Sequence, residues 1–154
     1  MPPTKSIAEN LVFAYCKAWN NLDTSYIEDH LNDNFSYSSQ SVLATMESKA
    51  EYITYLKGKY AAIKESGNSI KAEIGYYGDS PCLVMVQTIA TAQPAYFFKV
   101  VQLPDGTTKK ESVLETERTG IVLVEIAANK IKSAIMCSVA PTIKDVRRTG
   151  IYPQ

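Results

Sequence analysis

Tyr15 and Trp19 stand four residues apart in a segment of helical periodicity, which puts both rings on one face. Such a pair can line an apolar pocket and offer the Tyr15 hydroxyl as a hydrogen-bond donor. It can equally be ordinary core packing against a sheet. His30 is the only histidine, and so the natural candidate for proton transfer near neutral pH. Its place beside Asp29, at the end of a short helical segment, suits a capping or surface role just as well. Glu115, Glu117 and Arg118 interrupt a stretch rich in branched residues. Adjacent strand residues face opposite sides, so if this stretch is covered, either Glu117 or Arg118 points inward. An inward Glu117 in an apolar pocket would have a raised pKa and could act as a general base. If the strand projects past its cover, both charges are simply solvated.

Other residue groups offer less. Ser36, Ser38, Ser39 and Ser41 form a nucleophile-rich stretch, but no histidine or aspartate is arranged with them in a recognisable motif. Lys57, Lys59 and Lys64 read as the solvated side of a helix. There is no phosphate-binding glycine loop. Cys16, Cys82 and Cys137 are far apart and odd in number, so they are expected to be reduced, semi-buried thiols and not a disulfide framework. One histidine without a nearby cysteine or carboxylate cluster points away from a zinc site.

These residues sit in 154 positions, enough for one domain (residues 1–154) with a real core. The 16 basic and 16 acidic residues cancel, so the chain lacks the basic footprint that nucleic-acid binding needs. The longest apolar run, Ile121 to Ala128, contains Glu125 and is strand-sized, which excludes a membrane-spanning helix. The N-terminus shows no continuous apolar stretch of the signal-peptide kind, so the expected location is cytoplasmic. Ten tyrosines against four phenylalanines suit walls that are apolar in body with a polar tip, as in a pocket, an interface or a tyrosine-rich sheet.

The elements that must position these side chains follow from periodicity. Ser6-Ile7-Ala8-Glu9 is a capping box, and Ile7, Leu11, Ala14, Tyr15, Ala18 and Leu22 form one helical stripe ending at Asn20-Asn21. Asp23 caps a short second helix carrying Tyr26, Ile27, His30 and Leu31. Phe35 to Ser38 alternates as a short strand. A second capping box at Ser48 opens a helix to Ser66, with Tyr52, Ile53, Leu56, Tyr60 and Ile63 on one face and Gly67 as its stop. The period then becomes two. Strands are predicted at Ile70–Tyr76, Cys82–Ala90 and Tyr96–Leu103, with breaks at Gly78–Pro81 and Pro94 and an exposed polar run from Asp105 to Ser112. A long strand, Val113–Ile126, follows, with Gly120 as a bulge, and Asn129-Lys130 turns it into Ile131–Val139. The tail from Pro141 to Gln154 reads as loose or laid across a neighbour. Helices first and closely spaced strands later give an α+β fold: N-terminal helices packed in a curved, mostly antiparallel sheet, a cone-shaped barrel.

This order of elements resembles the nuclear transport factor 2-like superfamily, with its cystatin-like fold, which includes ketosteroid isomerases, polyketide cyclases and many uncharacterised bacterial domains. The residues that carry the resemblance are Ala14 to Asp23, His30 to Tyr37, Glu51 to Leu56 and the closing hairpin Ile121–Ile126 with Asn129-Lys130-Ile131. In the isomerases a tyrosine on the first helix donates to the enolate oxygen, and Tyr15 falls at that place. Their general base is an aspartate just after the first strand, where this chain has Ser38 or Ser39. A serine cannot take a proton from carbon near neutral pH without a base beside it. The resemblance therefore implies a pocket and argues against that isomerase chemistry. The leading expectation is a small-molecule-binding domain with an apolar, tyrosine-edged pocket between helices and sheet. Its ligand contacts would be Tyr15, Trp19, Tyr37, Tyr55 and Arg118, without cofactor or metal, in a homodimer formed through the open sheet face. A second is an isomerase, cyclase or dehydratase using Tyr15 with His30 or Glu117. A third is a non-catalytic interaction module working through the sheet face or Thr91–Ser112.

Overall fold

The computed structural model describes residues 6–39, 44–90, 95–115, 117–139 and 146–154. Helix α1 (Ile7–Asn21) begins at the capping box: the Ser6 hydroxyl accepts from the Glu9 amide and the Glu9 carboxylate accepts from the Ser6 amide. It ends at Leu22, which is left-handed, with the Asp23 amide donating to the Ala18 carbonyl at 3.0 Å. Helix α2 (Lys49–Ser66) starts at Ser48, whose hydroxyl accepts from the Glu51 amide, and stops at left-handed Gly67. Tyr52, Ile53, Leu56, Tyr60 and Ile63 are its buried stripe, as the spacing predicts. Each large side chain so buried contributes about 1.5–3 kcal/mol. Between the helices, two short 3-10 turns, Thr24–Tyr26 and Glu28–His30, replace the predicted second helix.

The strands are β1 (Leu31–Ser39), β2 (Ala44–Met46), β3 (Ser69–Tyr77), β4 (Ser80–Thr88), β5 (Ala95–Gln102), β6 (Thr108–Glu115), β7 (Glu117–Ala127), β8 (Lys130–Val139) and β9 (Val146–Arg148). Seven of them form one curved sheet in the order β2-β1-β8-β7-β4-β3-β9, antiparallel throughout except where β1 runs parallel to β8. Both helices pack on one face, with α1 over β3 and β4 and α2 over β1. This is the α+β architecture expected from the order of elements.

Four sequence expectations change. The predicted strand Val113–Ile126 is two strands with different partners: β6 pairs with β5 in a separate two-stranded ribbon, while β7 lies between β4 and β8. The polar run to Ser112 is exposed, yet much of it is strand, because β5 supplies its backbone partners. Gly120 keeps regular register with Met85 and Ser138, so it is not the bulge, and the register shift lies at Glu125/Ile126. The described part of the tail, residues 146–154, packs on its own chain. Strand β9 adds to β3, and Arg148 and the Gly150 amide hold both oxygens of the buried Glu73 carboxylate. Asn20 completes this clasp. Its side chain bonds the amide and carbonyl of Ala72 and donates to the Pro153 carbonyl at 2.7 Å. The break placed at Pro94, Ser41 and the tail segment 141–145 lie outside the described residues.

Candidate active or binding site on the concave face

Strand register fixes which side chains share the helix-covered face. Paired residues across a ladder point the same way. One row runs Ile74, Leu83, Val122, Met136, Ser39. The next runs Ala72, Met85, Gly120, and beyond it Ile70, Gln87, Arg118. Tyr37 shares this face through its pairing with Ala134. The phase of β7 is thereby settled: Arg118 lies on the concave side, and Glu117 faces the other way.

At the covered end of this face the aromatics close on one another. Tyr15, Phe35 and Tyr52 are completely buried, with Trp19, Tyr37 and Tyr60 nearly so. The Tyr52 ring lies 4.7 Å from Phe35 and 4.7 Å from Tyr37, and Tyr55 stands 5.7 Å from Tyr37. Trp19 meets Tyr60 edge-on at 4.9 Å. The hydroxyls of Tyr15 and Tyr52 bond each other. Among the described residues, the Trp19 Nε1 and the Tyr60 hydroxyl have no hydrogen-bond partner. Burial pushes the phenols of Tyr15, Tyr52, Tyr37 and Tyr60 well above the ordinary tyrosine range. They are neutral donors near neutral pH, suited to polarising an oxygen and unsuited to taking a proton.

The other end of the face is open. A cavity of about 120 Å³ lies between α2 and the sheet. Ile70, Met85 and Met136 form its apolar wall, and Lys59, Gln87 and Arg118 stand at its polar side. Gly120, on the same wall, leaves room for the Met136 side chain. A Cβ there would sit 3.0 Å from the Met136 sulfur, closer than side chains normally pack. Lys59 follows Tyr55 by one helical turn, so the cavity and the tyrosine cluster share a stripe of α2. Two larger depressions, about 540 and 380 Å³, lie on helix surfaces beside Glu28, Asp33 and Lys49 and beside Asp23, Lys57 and Lys64. They are walled by solvated charges of both signs.

The structure thus brings together Tyr15, Trp19, Tyr37 and Tyr55 of the expected contacts and sets Arg118 at the neighbouring cavity. His30 and Glu117 are exposed. Tyr52, Tyr60, Lys59, Gln87 and Gly120 were not singled out from sequence as site residues. The helical stripe of α2 carries the signal for the two tyrosines, whereas Gln87 and Gly120 depend on strand register. Cys16, Cys82 and Cys137 are free thiols, and burial raises the Cys82 thiol to about 11, which leaves it unreactive. Among the described residues, no cluster of histidine, cysteine and carboxylate could hold a metal, and no helix is long and apolar enough to cross a membrane.

No protein-family model and no curated protein matches the chain. Solved structures do. A nuclear transport factor 2-like protein of unknown function from Cytophaga hutchinsonii superposes with TM-score 0.50 at 11% identity, over 84% of this chain and 99% of that one. A SnoaL-like protein of unknown function from Burkholderia thailandensis gives TM-score 0.56 at 14% identity, over 91% of this chain and 100% of that one. The chain has the nuclear transport factor 2-like fold. An LEH-like epoxide hydrolase from M. tuberculosis shares it with TM-score 0.52 and 13% identity, over 89% of this chain and 86% of that one. At such identities the likeness is one of architecture. A nuclear transport factor 2-like cone carries many activities, and its function rests on the residues lining it.

Proposed function

We propose that this chain is a small-molecule-binding domain whose ligand lies between α2 and the concave sheet face, beside the tyrosine cluster. The observation that carries this reading is the cavity between α2 and the sheet, with Ile70, Met85 and Met136 as its apolar wall and Lys59, Gln87 and Arg118 at its polar side. Ligand sites are typically concave and mostly apolar, with a few polar groups that orient the ligand. No described tyrosine lines this cavity; the cluster of Tyr37, Tyr55, Tyr15 and Tyr52 lies farther along the same face, with Tyr55 one helical turn from Lys59. An isomerase, cyclase or dehydratase would need a proton-moving group beside Tyr15. Among the described residues, the groups acting on Tyr15 are the tyrosines Tyr52, Tyr37 and Tyr55 and the thiol of Cys16, none of them a base near neutral pH. Binding is therefore the better supported reading.

The test is a thermal-shift screen of small apolar probes on the wild-type chain and on Gly120→Leu, which crowds Met136 on the cavity wall. A probe at about 100 times its Kd stabilises a protein by about 2.7 kcal/mol. Probes that raise the wild-type Tm but not that of Gly120→Leu support the site. Equal shifts in both, or no shift in the wild type, overturn it.

Two surfaces support a partner-binding role alongside. Ile135 is exposed on the convex sheet face next to half-buried Leu123 and Cys137, which suits a second copy. A mass that stays monomeric up to high concentration in sedimentation would rule the dimer out. On the ribbon, Phe98 and Val100 are 76% and 62% exposed and point to one side, the kind of apolar surface an interaction module presents.

A further inference from the structure

We infer that the molecule held in this cavity is a small carboxylate with an apolar body. The inference rests on the binding reading above and adds the charge of the ligand. On the sheet side, Arg118 and Gln87 are direct cross-strand partners in the outermost row of the concave face. On the helix side, half-buried Lys59 stands at the same cavity. Two cations and an amide therefore converge on one opening, and no carboxylate among the described residues lines it. A guanidinium presents a planar fork that matches the two oxygens of a carboxylate, and the lysine adds a point charge from the opposite wall. Arg118 has another interaction in the structure, but five N–H donors leave it capacity for a second acceptor.

The polar groups occupy one end only. One row deeper, Met85 and Gly120 pair across the strands, and Met136 lies beyond them. The cavity is thus graded from cationic at the mouth to apolar inside, which orients a ligand head outward and body inward. Its volume of about 120 Å³ admits a body of a few carbons, and the flexible methionine side chains can give way to slightly more. The direction of the gradient excludes an ammonium head, which Lys59 and Arg118 would repel.

Isothermal titration with hexanoate and hexanol tests this on the wild-type chain, Arg118→Gln and Lys59→Gln. Hexanoate is expected to bind the wild type about tenfold or more tightly than hexanol. That preference is expected to collapse in Arg118→Gln, to shrink in Lys59→Gln, and to weaken with added salt. Arg118 is exposed, so its variant should fold, and Lys59→Gln gives an independent reading. If hexanol binds as well as hexanoate, or the preference survives in Arg118→Gln, the charge assignment is overturned while the binding site stands. If neither binds the wild type, both fall.

Discussion

The two ends of the concave face are built from the same strands yet differ in nearly every property. On β7, Val122 is buried, while Arg118, four residues away on the same side, is exposed. On β4, Leu83 is buried and Gln87 only half so. Where α1 and α2 both press on the sheet, Tyr15 reaches Tyr52 and the rings fill the space. Toward Arg118, Lys59 is the one described helix residue at the cavity, and glycine, methionine and charged side chains take over. A cone needs a rigid end to hold its shape and a looser end to admit anything, and residue type follows that division.

The sharpest way to break the comparison is to hollow out the closed end. Trp19→Ala should cost about 3–5 kcal/mol in chemical denaturation, because a large buried ring leaves a cavity that its neighbours cannot fill. A cost below about 1 kcal/mol would mean that this end is no more tightly packed than the other.

Alkaline pH probes the same end without mutation. A buried tyrosine whose folded pKa is raised keeps its proton while the unfolded chain loses its own near pH 10. Stability is therefore fully present below about pH 10 and falls above it, by up to about 1.4 kcal/mol per pH unit for each such phenol. Denaturation midpoints measured from pH 8 to 11 should stay level and then drop. Tyr15→Phe is a milder probe. It leaves the buried Tyr52 hydroxyl without its partner and should cost about 1–2 kcal/mol. At the open end the expected effect is smallest. Arg118→Gln should change stability by less than about 0.5 kcal/mol while abolishing selectivity for an anionic ligand. A large stability loss there would turn Arg118 into a structural residue.

Much of the closed end was legible in the sequence. The capping serines, the stop at Gly67 and the apolar stripes are local signals, and local hydrogen bonding decides them. The open end was not. Arg118 could be named, but whether it or Glu117 faced inward depended on pairing with Gln87, a partner about thirty residues away in the chain. Gly120 read as a bulge because a strand glycine often is one, whereas here it makes room for a methionine on β8. The run Val113–Ile126 looked continuous because branched residues report an extended backbone and say nothing about which strand lies alongside. Strand β9 was invisible for a related reason. It is three residues long, two of them arginine, and its pairing with β3 and the grip of Arg148 on Glu73 make its place definite.

The ribbon of β5 and β6 has a consequence of its own. Strands β4 and β7 pair as far as Thr88–Glu117, and residues 95–115, between them in the chain, pair in the separate ribbon. This makes the ribbon an exchangeable cassette inserted into what would otherwise be a plain hairpin. Its roots adjoin Gln87 and Arg118. Under the binding reading proposed above, lengthening or trimming it is expected to alter ligand preference while the stability of the seven-stranded sheet stays unchanged.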